Sequence, residues 1–358
     1  TPLPQVQDII DQVYLPRIMD YAEDLSGEQI AIVGGDPYLI TTRYTYSGQP
    51  VQKAVQYMVE HLERLGLNVT LQLWNPSYPP NVIAEKPGLT QPANIYIIGA
   101  HLDSTSGSAM TSAPGADDNA SGSVAVLTAA ELLAPYNFDA TVRFVLFTGE
   151  EQGLWGSQAY VASLSGQNIL GMLNLDMVSW DNVGGPLMDV HAKSTVAGSV
   201  ALGNLFNDVV SAYSLDLTPT VYSNGTGASD HASFWNAGYA AILAIEDYYY
   251  SPNNDFNAYY HTINDRTIYY NQPYYGEMVK ASLATMAHLA GLRTDCNWAD
   301  LDCSCEVNVV DIETAAARWG AAWGDWRYHR VYDVDHNNVI DVLDLQQYAA
   351  QWGWACSQ

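Results

Sequence analysis

The sequence predicts an α/β domain, with helices on both faces of a mostly parallel central sheet, followed by a small α-helical domain. Three observations carry this reading. Strand-like and helix-like runs alternate along the first four-fifths of the chain. Some of the strand-like runs are short and apolar throughout, as buried parallel strands are. After Leu292 the composition changes, and one stretch recurs at an offset of 33 residues.

The elements follow in order. Residues 5–25 carry a helical apolar rhythm through Ile9, Ile10, Val13, Tyr14, Ile18 and Met19. Residues 51–66 repeat it through Val51, Ala54, Val55, Met58, Val59, Leu62 and Leu65. Gly66 stops that helix, and Val69–Leu73 follows as a strand. Asn94–Ala100 reads as a buried strand, Ala120–Leu133 as helix and Thr141–Phe147 as strand. Trp155–Leu164 reads as helix and Ile169–Leu175 as strand. Val196–Tyr213 is helical, Tyr239–Ile245 extended, and Tyr275–Leu292 a final helix. Active residues of such a sheet belong at the C-terminal ends of the strands and in the loops beyond them. Residues 1–293 form the first domain and 294–358 the second, with Arg293–Ala299 as the boundary.

The chain of 358 residues carries 13 Lys+Arg against 39 Asp+Glu, a net charge of -26. That balance argues against nucleic acid and anionic membranes as partners. No run of 18 apolar residues occurs, so no membrane span is expected. The chain opens at Thr1 without Met or an apolar leader, which reads as a mature or trimmed form. All four cysteines, Cys296, Cys303, Cys305 and Cys356, lie late. An even number confined to one small segment reads as a disulfide staple, which implies an oxidising compartment and hence secretion. Cys296–Cys356 would join the ends of the small domain, with Cys303 and Cys305 unassigned. A zinc knuckle lacks support, since there is no Cys-x-x-Cys pair.

Three places put metal-type side chains directly after strands. In Ile97–Asp103, His101 stands at a strand end, where one ring nitrogen can bind zinc while Asp103 holds the other. In Gly115–Gly122, a loop of small residues delivers Asp117 and Asp118 at a helix start. Such residues also serve as helix caps, but a carboxylate there can bridge two metals with its two oxygens. In Phe147–Gly153, Glu150 and Glu151 are adjacent at a strand end. Their repulsion is relieved by a divalent ion, with one Glu as ligand and the other free as general base. Asp176 after a further strand and His261 in Tyr259–Asp265 complete the set. These side chains make two half-sites sharing one carboxylate, each with an imidazole and a terminal carboxylate. Zinc accepts that mixed set and leaves room for water, although cobalt or manganese would also fit.

Together these motifs resemble the secreted bacterial zinc aminopeptidases of the two-zinc, co-catalytic type, over roughly residues 35–292. Glutamate carboxypeptidases and transferrin-receptor-like ectodomains belong to the wider family. The resemblance implies a zinc-exopeptidase fold and metal-assisted hydrolysis. It assigns zinc ligation to His101, Asp118 as the bridge, Glu151, Asp176 and His261, and leaves Asp117 unligated. It makes Glu150 the general base and Asp103 the residue that orients His101. Tyr260 is the candidate donor to the tetrahedral oxyanion. Ser229-Asp230-His231 resembles a family segment lining the site, with His231 supporting the ligands rather than joining them.

An aminopeptidase must hold a substrate ammonium, and Glu150, Glu151 and Asp176 supply the charge. A carboxypeptidase needs a basic residue, and only Arg143 and Arg266 lie near the motifs. The reading is therefore an aminopeptidase, with an apolar, leucine-like preference implied by the resemblance. A carboxypeptidase or a glutaminyl cyclase of the same fold, or a non-catalytic binding ectodomain, are the alternatives.

The repeat places oxygen ligands at loop positions 1, 3, 5, 9 and 12. These are Asp300, Asp302, Ser304, Asn308 and Asp311, then Asp333, Asp335, Asn337, Asp341 and Asp344. Glu306 and Val339 offer backbone carbonyls at position 7. The spacing is that of an EF-hand and suits two structural calcium ions, though Cys305 and Asn338 replace the usual Gly and position 12 is Asp. With one helix after each loop, Ile312–Trp319 and Leu345–Trp352, the segment is similar to dockerin modules. That implies a cohesin-type partner. Val309-Val310 and Val342-Leu343 depart from the polar docking residues expected there, so packing on the chain's own catalytic domain stands beside a cohesin-type partner as an equal alternative.

Overall fold

Pro16 splits the first helical stretch in two, since a proline stands at the start of a helix more readily than inside one. A computed structural model describes residues 1–183, 185–248 and 255–356, and it opens with α1 (Pro4–Ile10) and α2 (Leu15–Leu25). A two-stranded ribbon follows, β1 (Ala31–Val33) and β2 (Asp36–Tyr38), then α3 (Gln49–Glu63). The chain continues through β3 (Asn68–Gln72), β4 (Asn81–Lys86), β5 (Gln91–His101), α4 (Gly122–Leu133), β6 (Ala140–Phe147), α5 (Trp155–Ala162) and β7 (Asn168–Leu175). Next come β8 (Leu187–His191), α6 (Ser199–Ala212), β9 (Thr218–Tyr222), α7 (His231–Asn236), β10 (Ala241–Glu246) and α8 (Gln272–Ala290).

The sheet has eight strands in the order β3-β4-β6-β5-β7-β10-β8-β9. Its centre, β6-β5-β7-β10, is parallel, as is β8-β9, while β3-β4, β4-β6 and β10-β8 are antiparallel. From β5 the chain crosses to β6 on one side and then returns past β5 to β7 on the other. The C-terminal end of β5 is thus a topological switch point, where open α/β sheets leave a crevice. The expected α/β class with helices on both faces is what the structure has. One face packs on α4, buried along its whole length, and α8; the other packs Phe147, Met172 and Tyr160 against Phe234 and Trp235.

Besides the short β1–β2 ribbon, three strands of the main sheet escaped the sequence reading for a physical reason. β8 carries Asp189 and His191 into the interior, which breaks the apolar signal. β9 contains Pro219, tolerable because β9 is an edge strand. β4 runs into Glu85 and Lys86.

Residues 299–354 gather a small core of their own around Val307, Ala315, Tyr332, Ile340 and Tyr348. Its helices are α9 (Val309–Ala316) and α10 (Val342–Ala350), each starting earlier than the sequence suggests because Asn308 and Asp341 cap them. The disulfides are Cys296–Cys303 and Cys305–Cys356, which corrects the expected Cys296–Cys356 pair. The left-handed Cys303 and Cys305 turn the first loop so that each faces a different partner. This segment lies on the first helices of the chain. Arg330 N donates to Gln12 Oε1 (2.8 Å), Asn137 Nδ2 to Leu301 O (2.8 Å), and Arg64 covers the Trp326 ring at 4.5 Å.

Arg43 ties the loops around the switch point together. It is fully buried, and its guanidinium donates to four backbone carbonyls: Leu102 (2.7 Å), Leu25 (2.6 Å), Pro114 (2.7 Å) and Gly115 (2.7 Å). Burial pulls its pKa down to about 10, and the Asp265, Asp118 and Asp103 carboxylates nearby help keep it charged. Removing it leaves buried carbonyls unsatisfied. Arg43→Leu is therefore expected to cost about 3–5 kcal/mol of unfolding free energy in urea titration. Arg43→Lys should recover little, because three donors cannot span the fork. A loss under 1 kcal/mol for Arg43→Leu would refute this role.

Candidate active site

The switch-point crevice collects the predicted side chains. His101 is the last residue of β5, Glu150 and Glu151 follow β6, and Asp176 follows β7. Asp118 lies in the wide turn Ala116–Ser121 that leads into α4, and its peptide bond to Asn119 is cis. His261 comes from a turn after β10 and holds φ at 57°. Gly115 begins the Asp118 turn with φ at 49°, where any side chain would overlap the Asp118 carbonyl.

Asp118 is the centre of the arrangement. Its Oδ1 lies 3.2 Å from His101 Nε2, and its Oδ2 lies 3.1 Å from His261 Nε2. His101 Nε2 is also 3.3 Å from Asp176 Oδ1, and His261 Nε2 is 3.1 Å from Glu151 Oε2. Two trios result, His101–Asp118–Asp176 and Asp118–Glu151–His261, each with donor atoms within 4.8 Å of one another. The first is buried, while His261 is 37% exposed, so the second opens to solvent.

Charge is crowded here. Among the described residues no Lys or Arg pairs with Asp118, Glu150, Glu151 or Asp176. Burial pushes the Glu150 carboxyl well up, and Asp230, Asp176 and Glu151 add to the shift against the opposing pull of His101. Burial and Asp118 raise Glu151 to about 7. Burial pulls the His101 imidazole down, but Asp176 and Glu150 outweigh it and hold it well above the histidine range. Asp118, which burial alone would raise, is held far below the carboxylate range by the two imidazoles.

The residues fit a pair of divalent ions. Tetrahedral zinc bonds of about 2.0–2.1 Å put neighbouring ligand atoms about 3.3 Å apart, close to the 3.1–3.3 Å separations seen. Glu151 Oε1 is buried and accepts no hydrogen bond, which leaves it for a cation.

Supporting groups differ from expectation in one respect. His101 Nδ1 meets the backbone carbonyl of Asp103 (3.0 Å), whereas the Asp103 carboxylate stands 3.8 Å away. That carboxylate is taken by Thr45 Oγ1 (2.9 Å) and the amides of Glu150 (3.1 Å) and Glu151 (3.4 Å), so it shapes the glutamate turn instead. Asp117 points away from the trios, accepting from Ser179 N (3.0 Å), Ser179 Oγ (2.6 Å) and Asn257 Nδ2 (3.0 Å). His231 is buried and its Nε2 donates to Thr226 O (2.8 Å), a residue of the pocket wall. Tyr260 stacks on the His261 ring (3.6 Å between centroids) at the pocket mouth.

Two features were not visible in the sequence. Asp265 accepts from the amides of Asp117 (3.1 Å) and Asp118 (3.0 Å), nearly 150 residues away, and thereby aims Asp118. Met177, Leu243, Ile245, Tyr248 and Phe256 form an apolar wall on the β10 side of the pocket.

In the late segment, the carboxylates of Asp300, Asp302 and Asp311, and of Asp333, Asp335 and Asp344, form two further trios within 4.8 Å. Ser304 and Asn337 lie in the same loops, their amides donating to Asp300 Oδ1 (2.9 Å) and Asp333 Oδ1 (3.1 Å). The Glu306 carbonyl faces Ser304 Oγ (3.2 Å), and the Val339 amide donates to Asn337 Oδ1 (2.8 Å). Asn308 and Asp341 cap the helices that follow, with Asp311 and Asp344 completing each capping box.

A family model described as peptidase family M28 matches residues 81–286, more than half of the chain. The chain belongs to peptidase family M28. Among curated relatives, "Leucine aminopeptidase 2" of Trichophyton equinum is 34% identical over 161 residues, 43% of this chain. The matched stretch spans 31% of that relative's length. Among solved structures, LapA aminopeptidase of Legionella pneumophila has a TM-score of 0.67 at 19% identity, over 80% of this chain and 75% of that one. A glutaminyl cyclase of Bacteroides thetaiotaomicron has a TM-score of 0.59 at 16% identity, over 76% of this chain and 97% of that one. At these identities the two structures speak for the fold.

Asp265→Ala should free the Asp117–Asp118 amides and loosen the turn. Zinc affinity is expected to fall about 10- to 100-fold, read by competition with a chromophoric chelator. Native affinity in the variant would sink this role.

Proposed function

We propose that this chain is a metallo-aminopeptidase that removes apolar, leucine-like residues from the N-termini of peptides. The observation that carries the reading is Asp118, whose two carboxylate oxygens each face a different imidazole, with Glu150 beside them. His101, Asp118 and Asp176 would hold one zinc ion, and Asp118, Glu151 and His261 a second. When bound, the zinc pair supplies Lewis acidity for the scissile carbonyl and lowers the pKa of water.

The chain's own residues do the rest. Glu150 lines the pocket and, among the described residues, pairs with no Lys or Arg; it takes the proton of the attacking water and delivers it to the leaving amine. The surplus of carboxylates among Glu150, Glu151 and Asp176 suits a substrate ammonium. Tyr260 lines the pocket with its ring on His261, and its hydroxyl donates to the oxyanion. Leu243, Ile245 and Phe256 take the N-terminal side chain by apolar contact. Arg143 is engaged by Glu85 (2.6 Å) and Gln167 (2.6 Å), which argues against its holding a substrate carboxylate. Two donor trios rather than one favour the aminopeptidase over a one-zinc cyclase.

We further propose that residues 294–358 form a separate domain whose two acidic loops bind calcium, and that the protein is secreted. Paired cysteines support export. The contacts with Gln12, Arg64 and Asn137 favour docking on the chain's own catalytic domain over a cohesin-type partner. No described helix is long and apolar enough to cross a membrane.

Hydrolysis of leucine p-nitroanilide, set beside an N-blocked leucine p-nitroanilide, tests the main reading. Only the free-amine compound should be cleaved, with activity lost on chelation and restored by zinc. Glu150→Gln should keep the zinc and lose about 10²–10⁴ in kcat; full activity in that variant would refute the mechanism. For the second domain, calcium should raise the melting temperature of the native chain. Asp333→Ala should remove about one of two bound ions. A melting temperature indifferent to calcium would count against those sites.

A further inference from the structure

The strand order gives the crevice two different flanks. On the β10 side lies the apolar wall that takes the N-terminal side chain. On the β3 and β4 side, behind the Thr148–Glu150 turn and outside the pocket lining itself, stand four rings that form a second surface. Trp74 follows β3, Tyr78 precedes β4, Trp155 opens α5, and Tyr46 comes from the segment before α3. Tyr46 and Tyr78 meet at 5.1 Å between centroids, Trp74 and Tyr78 at 5.5 Å, and Tyr78 and Trp155 at 5.7 Å.

These rings are fastened to the residues proposed to act. Trp74 Nε1 donates to Thr148 Oγ1 (2.9 Å), two residues before Glu150. Between them, Gly149 holds φ at 75°, and a Cβ there would come within 3.0 Å of the Trp74 ring. Thr45, next to Tyr46, donates to the same Asp103 carboxylate that receives the Glu150 amide. A cluster that only pinned loops would hide its rings. Here Tyr46 is 39% exposed, and Trp74, Tyr78 and Trp155 are half-buried.

We propose that Tyr46, Tyr78, Trp74 and Trp155 form the subsite for the residue after the scissile bond, and that they favour an aromatic or large apolar side chain there. This rests on the aminopeptidase reading. With the N-terminal side chain on the β10 flank, the peptide leaves across Glu150 toward these rings. Ring faces and edges take an aromatic side chain with attraction beyond area burial.

The experiment compares kcat/KM for leucyl-phenylalanine amide and leucyl-glycine amide on the zinc-loaded chain, with leucine amide as a substrate lacking the second residue. The native chain should prefer the phenylalanine compound about tenfold. Tyr46→Ala should cut that ratio about three- to fivefold, Tyr78→Ala should do likewise, and Tyr46→Phe should keep it, since the ring rather than the hydroxyl is used. A folding defect lowers both rates together and leaves their ratio in place. Cleavage of leucine amide without preference between the dipeptides, or a ratio that both alanine variants preserve, overturns the subsite. No cleavage of any of the three overturns the aminopeptidase reading and this inference with it.

Discussion

Too much negative charge sits in too small a volume at the ends of β5, β6 and β7, and that constraint organises the rest of the structure. Asp118, Glu150, Glu151 and Asp176 converge there with two imidazoles and, among the described residues, no ammonium or guanidinium paired to them. Isolated carboxylates do not stay ionised when buried. The crowding shows as a Glu151 carboxyl raised by burial and Asp118 to about 7, and as two imidazoles lifted above the histidine range by the carboxylates around them. On the proposed reading, divalent ions would relieve it by taking the place of protons, which would couple metal binding to the organisation of the site. The scaffold bears the cost of holding the groups in place meanwhile. Arg43 clamps four carbonyls of three segments, and Asp265 and Asp103 each collect the amides of a turn that presents a carboxylate.

What could be read in the sequence was whatever chemistry stands next to its own strand. His101, Glu150 and Asp176 follow short apolar runs, and a polar residue ending such a run stands out. The Asp117–Asp118 pair was legible through the small residues of its turn, while the choice of Asp118 came from the family resemblance. Asp265 was not, because its work is done on amides far away in the chain, and no spacing rule reports that. Asp103 shows a different limit. Its proximity to His101 suggested a pairing of side chains, yet its backbone carbonyl meets the ring and its carboxylate turns to Thr45 and the glutamate amides. Adjacency in sequence says which residues can meet, but not which atoms do.

The small second core illustrates the same limit for covalent links. Four cysteines in one segment signalled disulfides correctly in kind. The pairing could not be read from spacing: Cys303 and Cys305, two residues apart and both left-handed, join different partners, Cys296 and Cys356. The repeat itself was legible because its acidic positions recur with fixed spacing. Each loop does double duty, since Asn308 and Asp341 cap the helices that follow while the Asp trios gather behind them.

The division of labour across the sheet follows from the switch point. The strands that carry the metal-type residues are central, buried and constrained by packing on both faces, so their chemistry has little freedom to vary. The surfaces on either flank are not so constrained. The β10 flank is built from strand residues and the following loop, and the β3–β4 flank from the ends of two edge-side strands and the start of α5. On the aminopeptidase reading proposed above, the peptide bond would be handled by the rigid middle of the sheet, and the side chains on either side of it would be read by segments that can change without disturbing that middle. A glutaminyl cyclase shares this fold at 16% identity, in keeping with the general rule that function lives in sites grafted on a common frame.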